Sequence, residues 1–400
     1  MSTNLARYAR PVGFSRGMTM IELLVAMVIG LGVTLAVASL LVAGENHKRT
    51  TTSTNDAEQT GAYASYALDR ALRSAGSALT QSSDLGVFAC RLNVYNGSQL
   101  LPRNSFPAPF AANFLPGAAA NLRVAPVLIG YHMSDNNTSD VLVVMGGSGA
   151  AGGVPRANNA AGTPPSLILQ NTVGFSPGDL LLVSNSTLTA PQDCLLEEVQ
   201  TPTNSTTVTL GTAAPYYYTA NGVATNLSTL AGDVTSTYIT PLGNANANNV
   251  QFQMFGVDAN YTLYSYDLLQ NQLKVQGIGA DASLPIADGV VRMNAIYGVV
   301  NGGVQGWADP FQTAGYDIAT VMTTSATMKS IIAVRVALLV RGEYYDKKGV
   351  SPASFTFFNG LKDFNGKVLT QIVNVPDQHY RYRVFEFTVP LRNMLILDTI

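Results

Sequence analysis

Glu22 is the residue whose position most clearly requires a chemical partner. Its carboxylate interrupts an apolar run of 26 residues, Met18–Ala43, that is otherwise free of charge. A carboxylate near the end of a membrane helix costs a few kcal/mol, so something must offset that cost. Gly17 ends a short basic leader directly before this run. The start of the apolar helix is therefore the first place where a functional role is expected.

The other motifs that could carry chemistry are weak. Gly147–Gly152 (GSGAAG) matches the dinucleotide-binding pattern G-x-G-x-x-G, but no helical pattern follows it, so we predict a flexible loop and no nucleotide. The histidines His47, His132 and His379 lack the spacing of metal ligands. There is no G-x-S-x-G motif, and neither cysteine has a catalytic context. We predict no catalytic residues, no cofactor and no metal, so the protein is not expected to be an enzyme.

Two groups of residues leave alternatives open. Asp135–Asp140 and Asp281–Asp288 offer oxygen atoms to calcium, but Asx turns explain the same residues without a metal and are favoured. Tyrosines are plentiful, and we favour strand positions that shield the sheet over an adhesive or subunit-binding patch. These tyrosines are Tyr216, Tyr217, Tyr218, Tyr261, Tyr264, Tyr266, Tyr344, Tyr345, Tyr380 and Tyr382.

The leader and the apolar run together predict one membrane anchor. Arg7, Arg10 and Arg16 hold the leader in the cytoplasm by the positive-inside rule. At about 1.5 Å per residue the run forms roughly 39 Å of helix, more than the roughly 30 Å hydrocarbon core. We expect a single pass through the inner membrane, with the C-terminal domain in the periplasm. A simple uncleaved anchor is the alternative, and it leaves Gly17 and Glu22 unexplained.

Cys90 and Cys194 are the two cysteines of the chain, and the predicted topology places both in the periplasm, where disulfides form. We predict a bridge between them, and two separate buried thiols are the alternative. A bridge that closes the long loop between Cys90 and Cys194 would stabilise the fold by roughly 4–5 kcal/mol in the chain-entropy model.

The N-terminal segment Gly13–Ala43 closely resembles the class III signal of type IV pilins and type II secretion pseudopilins. In that superfamily a prepilin peptidase cuts after the glycine and methylates the new amino terminus, and the apolar helix stays on the mature protein. The resemblance implies cleavage between Gly17 and Met18 and N-methylation of Met18. It also implies docking through Glu22, which pairs with the amino terminus of a neighbouring subunit. Met18 departs from the pattern, because major pilins usually begin with Phe.

Composition and residue patterns predict an α+β protein. Of its 400 residues 47% are apolar and only 12% are charged, a composition common in extracytoplasmic β-rich proteins. The net charge of −2 gives no support to nucleic-acid binding. Ala64–Leu79 repeats small and apolar residues at helical spacing, and from residue 85 strand-like segments alternate with Asn-Gly turns. We expect a long N-terminal helix packed on a large β-rich domain of mainly antiparallel strands.

The predicted segments follow the chain in order: a cleaved cytoplasmic leader at 1–17, a transmembrane helix at 18–43, the periplasmic part of that helix at 44–80 and the β-rich domain at 81–400. The threonine run in Gly44–Thr54 predicts weak helix. Residues 146–165 and 241–249 are predicted to be mobile surface loops. The predicted strands are Val141–Met145, Leu180–Val183, Thr206–Leu210, Val250–Val257, Gln272–Ile278, Ile331–Arg341 and Arg381–Val389.

Several later stretches resemble the PilW family of minor pilins. They are Ala287–Gly298 (ADGVVRMNAIYG), Ile332–Arg341 (IAVRVALLVR), Tyr380–Leu397 (YRYRVFEFTVPLRNMLIL) and the pair Asp193–Cys194. This resemblance implies a minor pilin that joins a priming or tip complex for type IV pilus assembly, and thereby supports adhesion, twitching motility or DNA uptake. It implies as partners the prepilin peptidase, other minor pilins, the major pilin and a tip adhesin. The protein would move from the inner membrane to the pilus at the cell surface.

Two alternative functions remain for the same sequence. Minor pseudopilins of the type II secretion system share the large size and related late strands. A pilus-tip adhesin or a DNA-binding pilin would instead carry a ligand-binding face on its globular domain.

Overall fold

The computed structural model describes residues 17–103, 105–110, 122–148, 153–187, 193–202, 204–212, 216–217, 227–270 and 282–397. The chain divides into two compact units, one up to Ser53 and one from Thr54 onward. The leader before Gly17 and the strand predicted at Gln272–Ile278 lie outside the described residues.

One helix of 55 residues, α1, begins at Met20 and ends at Ser74. Gly44–Thr54 is helical throughout despite the low helix propensity of its threonine run, as the predicted continuation of the N-terminal helix requires. The hydroxyl of Thr50 donates to the carbonyl of Asn46 at 2.9 Å, so this side chain bonds back to its own helix. Two short helical turns follow at Thr80–Ser82 and Ser83–Val87.

From Thr54 onward α1 buries one face in the β-rich unit, as the spacing predicts. The buried apolar residues of this stretch are Ala57, Ala64, Leu68, Ala71 and Leu72, and Ala75 and Leu79 just after the helix are buried as well. They belong to the main hydrophobic core, which the sheets also fill. Asp69 and Arg73 lie off this face and form an ion pair at 2.6 Å. The predicted packing of the helix on a sheet is confirmed.

Nineteen strands are assigned in the described residues, and eight of them form the largest sheet. These eight are β1 (Arg91–Tyr95), β2 (Gln99–Leu101), β5 (Arg156–Ala160), β6 (Ser166–Leu169), β7 (Asp179–Asn185), β8 (Asp193–Pro202), β9 (Thr207–Leu210) and β10 (Thr237–Asn244). Their order is β2-β1-β8-β7-β10-β5-β6-β9, and β9 also pairs with β8. Six of the strands therefore close into a small barrel.

The barrel has a core of its own and lies in an insertion. Leu181, Val183 and Ile239 fill it together with Leu227 and Leu230 of the short helix α2 (Leu227–Gly232). The insertion leaves the chain after strand β4 (Val141–Gly146) and returns at β11 (Gln251–Val257). These two strands pair directly, with Gly146 opposite Gln251, so the two ends of the insertion meet on neighbouring strands.

A five-stranded sheet and a four-stranded sheet complete the main core. The first adds β3 (Val127–Gly130), β12 (Thr262–Asp267) and β13 (Leu284–Asp288) to β4 and β11, in the order β13-β12-β11-β4-β3. The second has the order β15-β14-β16-β19, and its strands are β14 (Val290–Asn301), β15 (Val304–Ala308), β16 (Ile331–Arg341) and β19 (Tyr382–Pro390). The short helices α3 (Ile318–Thr323), α4 (Ser325–Ser330) and α5 (Arg392–Leu395) flank these sheets.

In strand β16 the residues on one face are all apolar, while the other face has both apolar and charged residues, and the structure explains this pattern. Val334, Val336 and Leu338 lie in the main core. Ala337 and Leu339, on the opposite face, are buried in a third cluster that includes residues of the two-stranded sheet β17 (Ser354–Phe357) and β18 (Gln371–Asn374). A strand covered on both faces by tertiary layers keeps apolar residues on both, which sequence alternation alone does not specify.

The structure confirms a long helix followed by a mainly antiparallel β-rich domain and corrects two loop predictions. Strand β5 lies within residues 146–165, and β10 extends to Asn244, into the second predicted loop. The two strands pair with each other, Tyr238 opposite Ala157. Pro241 is tolerated in β10 because the register shifts between Pro241 and Gly243, and bulges accept proline. Long-range pairing therefore overrides the local glycine and asparagine content.

Gly146 is required where the end of α1 meets β4. A Cβ atom there would overlap the carbonyl oxygen of Ser74. We expect Gly146→Ala to lower the free energy of unfolding by about 2 kcal/mol, the usual cost of overpacking. Gly232→Ala is the matched control, because a Cβ at Gly232 meets no atom of a described residue within 4 Å. Chemical denaturation of both variants measures the difference, and equal stability would contradict the expected overlap.

Candidate functional site

Glu22 lies in the first turn of α1 and closes a reciprocal cap with Thr19. The backbone N–H and the hydroxyl of Thr19 donate to Oε2 of Glu22 at 2.9 and 3.1 Å. The backbone N–H of Glu22 donates to the Thr19 hydroxyl at 3.2 Å. This is a capping box, which satisfies N–H groups that a helix start leaves unbonded. Its T-x-x-E pattern is visible in the sequence, so the role of Thr19 is a signal that the sequence reasoning missed.

The residues around this cap are fully open. Every residue from Gly17 to Arg49 is exposed, and Met20 keeps 82% of its surface accessible. Helix α1 is long and apolar enough to cross a membrane. Gly17 and Met18, which flank the predicted cleavage bond, lie before the helix and are exposed. An exposed apolar helix with one carboxylate at its head suits a lipid or helical partner and not water.

The second group of predicted residues, Cys90 and Cys194, forms a disulfide with its Cα atoms 5.7 Å apart. Both residues are fully buried, in the main core. The bridge ties the chain just before β1 to β8, and β1 and β8 are the one parallel strand pair among the described strands. It therefore anchors the inserted barrel to the strand that follows α1, as the predicted long-range bridge requires.

A buried ion pair lies beside the disulfide. Arg91 is opposite Asp193 in the β1–β8 register. Its Nε and Nη2 donate to the two carboxylate oxygens of Asp193 at 2.5 and 2.8 Å. Asp193 is fully buried, and Asn93 donates to the same carboxylate at 3.2 Å. The sequence singled out Asp193 by resemblance alone, and no sequence signal pointed to Arg91, which lies far from it along the chain.

Asp140 joins the β3–β4 connection to the four-stranded sheet. It is fully buried, and its two oxygens accept the backbone N–H groups of His132 at 2.9 Å and Ala295 at 2.8 Å. Burial raises the pKa of Asp140 to about 7, although these two N–H groups lower it. Burial and the charge of Arg292 lower the pKa of His132 to about 4, so this histidine is neutral at pH 7.

We expect Asp140 to make the stability of the domain fall as pH rises from about 4 to 7. Asp140 binds its proton more tightly in the folded state than in the unfolded state. Its stabilising contribution to the free energy of unfolding is therefore complete at low pH and is lost as the pH rises above the pKa of the folded state. The effect is at most about 4 kcal/mol. Unfolding free energies of the wild type and Asp140→Asn, measured at intervals of pH, test this expectation. The difference between the unfolding free energies of the two proteins should change between about pH 4 and pH 7. A constant difference would contradict the expectation.

The remaining motifs are the possible calcium ligands and the glycine-rich segment Gly147–Gly152. Oδ1 of Asn136 accepts the N–H groups of Thr138 and Ser139, which is the Asx turn favoured for Asp135–Asp140. No cluster of three or more His, Cys, Asp or Glu residues that could hold a metal occurs in the described part of the chain. Part of Gly147–Gly152 and Asp281 lie outside that part.

The tyrosines divide between the two alternatives. Tyr266, on β12, is buried in the main core, and Tyr382, on β19, is buried in the smaller cluster beneath β17 and β18. Tyr344 and Tyr345 lie in the connection after β16 and stay 45% and 52% exposed. Tyr345 stacks on His379 with the ring centres 5.1 Å apart. Positions on strands that shield the sheet therefore explain Tyr266 and Tyr382 but not Tyr344 and Tyr345. Tyr218 lies outside the described residues.

Comparison with known proteins finds a family similarity in the C-terminal part of the chain. Residues 254–393 match the family model of Type IV Pilus-assembly protein W. Among solved structures, a type IV-like pilin from Thermus thermophilus is similar at 11% identity, covering 55% of this chain and 86% of that chain with a TM-score of 0.20. No curated protein matches the chain.

The matched segment begins within β11, directly after the inserted barrel, and includes Ala287–Gly298, Ile332–Arg341 and most of Tyr380–Leu397. The pair Asp193–Cys194 lies outside it. The predicted PilW resemblance is therefore confirmed for the matched segment. The matched family is one of type IV pilus-assembly proteins. Over residues 254–393 the chain is therefore similar to that family, and helix α1 at its other end is long and apolar enough to cross a membrane.

Proposed function

We propose that this protein is a minor pilin of the type IV pilus. The observation that carries the proposal is the start of α1, where Gly17 and Met18 precede an exposed apolar helix and Glu22 lies in its first turn. A prepilin peptidase cuts after Gly17 and methylates Met18. The helix anchors the protein in the inner membrane, with the β-rich unit in the periplasm, until the protein enters the pilus.

The docking step follows from charge. Cleavage creates an ammonium group at Met18, and the carboxylate of Glu22 pairs with the corresponding terminus of a neighbouring pilin. Two charges that would cost several kcal/mol each in an apolar bundle thereby compensate each other. The subunit enters a priming or tip complex with other minor pilins, from which the major pilin polymerises. The size of the β-rich unit suits a subunit at the tip and not one that repeats along the filament.

Processing is tested by expressing the full chain with a prepilin peptidase and sequencing the amino terminus of the product. The expected first residue is N-methylated Met18, and a start at any other residue would refute the assignment. Gly17→Val is the matched variant and should stay unprocessed, because in the superfamily that the N-terminal segment resembles the cut follows a glycine.

The place of the protein in the pilus is tested separately. The full chain in detergent should co-purify with minor pilins and not with secretion components. Deletion of its gene should remove surface pili and leave exoprotein secretion intact. Lost secretion with normal pili would assign the chain to the type II secretion system instead.

A further inference from the structure

A polar cleft of about 440 Å³ lies on the β-rich unit, far along the chain from the N-terminal docking residues. The β3–β4 connection, the β11–β12 turn, the start of β14 and the end of β18 surround it. Its polar side chains belong to Asp135, Asn136, Thr138, Tyr261, Arg292 and Asn374. This volume is in the range of small-molecule sites. The proposed pilin function uses none of these residues.

Arg292 carries a positive charge that no described carboxylate pairs directly. Its Nε donates to Oδ1 of Asn294 at 2.7 Å, and its Nη2 lies 3.0 Å from Nε2 of His132. Both partners are uncharged at pH 7, because His132 is neutral. No carboxylate oxygen of a described residue lies within 4 Å of the guanidinium. A guanidinium has five N–H donors in a planar fork, so donors remain for an anion.

The nearest buried carboxylate compensates Arg292 only in part. Asp140 directs both of its oxygens to backbone N–H groups, and its raised pKa leaves it only partly ionised at neutral pH. Arg292 is itself partly buried, and partial burial of an unpaired guanidinium costs free energy. A carboxylate that enters the cleft would remove this cost and take the free donors.

The rest of the lining suits hydroxyl groups. The side chains of Thr138 and Asn374 are exposed and form no hydrogen bond with other described residues. Asp135 adds a carboxylate that accepts hydrogen bonds and repels a second negative charge. The complementary ligand is small, with one carboxylate for Arg292 and several hydroxyl groups for the other side chains. Simple dicarboxylates and polyphosphates do not fit that description.

We propose that this cleft binds a sugar acid, with its carboxylate on Arg292 and its ring hydroxyls on Thr138 and Asn374. The sugar acid is either free or a unit of an acidic polysaccharide, since both present the same groups. This site goes beyond the proposed pilin function and does not depend on it.

Calorimetric titration of the full chain in detergent tests the site, with glucuronate as the probe and glucose and acetate as comparisons. Glucuronate should bind one to one, and at least about tenfold more tightly than either comparison, because each lacks one of the two features that the cleft recognises. Acetate that binds as tightly as glucuronate would overturn the sugar-acid assignment in favour of a bare carboxylate. No heat at tens of millimolar glucuronate would overturn the site altogether.

Three variants locate the binding. Arg292→Gln should weaken glucuronate binding at least about tenfold, the effect of losing a charge-assisted bond. Asn374→Ala should weaken it about threefold and leaves the fold intact, because this side chain is exposed and unbonded, so the proposal stays testable if the first variant unfolds. Arg383→Gln, which removes an exposed arginine paired with Glu58, should bind as the wild type does. Unchanged binding in Asn374→Ala and in a folded Arg292→Gln would overturn the proposal.

Discussion

Glu22→Gln is expected to remove the protein from the assembled pilus while leaving its cleavage and its folded β-rich unit unchanged. Glutamine keeps the size of the side chain and can still accept the cap bonds from Thr19, but it has no charge to pair with an amino terminus. Leaving one partner of a buried ion pair alone costs about 3–5 kcal/mol, which corresponds to a hundredfold or greater loss in the docking equilibrium. Immunoblots of sheared pili, normalised to the membrane fraction, measure the loss.

Two control variants separate the charge of Glu22 from its helix cap. Thr19→Val removes the reciprocal cap and keeps the carboxylate, so it should cost about 1 kcal/mol of helix stability and reduce incorporation only mildly. Glu45→Gln removes an exposed carboxylate further along the same helix, where it pairs with Arg49, and should have no effect. If Thr19→Val abolished incorporation as completely as Glu22→Gln, the cap and not the charge would explain the phenotype.

Asp193→Asn is expected to destabilise the β-rich unit by about 3–5 kcal/mol. The substitution leaves the guanidinium of Arg91 largely buried without its partner, and a buried unpaired charge is among the most costly changes in a protein. The free energy of unfolding under non-reducing conditions measures the effect, because the adjacent disulfide then remains closed. A loss below about 1 kcal/mol would show that the pair is not desolvated as its burial indicates.

The double variant Arg91→Met with Asp193→Leu is the matched control for this prediction. Replacing both charges by apolar groups of similar size leaves no unpaired ion, so the loss should be much smaller than for Asp193→Asn alone. Arg73→Met, which removes an exposed ion pair with Asp69 on the helix surface, should change stability by less than about 1 kcal/mol. A double variant as unstable as the single one would mean that side-chain packing, and not charge, explains the loss.

Local patterns predicted the elements that sequence alone could reveal. Strand β16 was predicted with the bounds Ile331–Arg341 that the structure shows. The spacing of Ala64, Leu68 and Ala71 predicted the buried face of α1. Both signals arise because a strand or helix buries residues at a fixed period, and that period is written directly in the sequence.

The mistaken predictions share one cause. Residues 146–165 and 241–249 are rich in glycine, proline and asparagine, and such composition favours loops when no partner is considered. Strands β5 and β10 form there because they pair with each other and close a barrel. The threonine run in Gly44–Thr54 is helical for a related reason, since helix propensity is a weak preference that its context overrides.

The N-terminal site was almost entirely a property of the sequence. Gly17, Met18 and Glu22 lie within six consecutive positions, and the cap with Thr19 requires only the geometry of one helical turn. Contacts this local form wherever the helix forms, so residue types and spacing are sufficient to find them.

Only the tertiary structure decided which distant residues meet. It placed Arg91 opposite Asp193 and brought Arg292 to the same cleft as Asp135 and Asn374, whereas the Cys90–Cys194 bridge was already predicted from the sequence. None of these contacts follows a helical or strand period, because each depends on the register and order of strands far apart in the chain. The sequence by itself therefore determined the apolar helix and the position of Glu22 at its start, while the packing of the sheets determined the buried ion pair and the cleft.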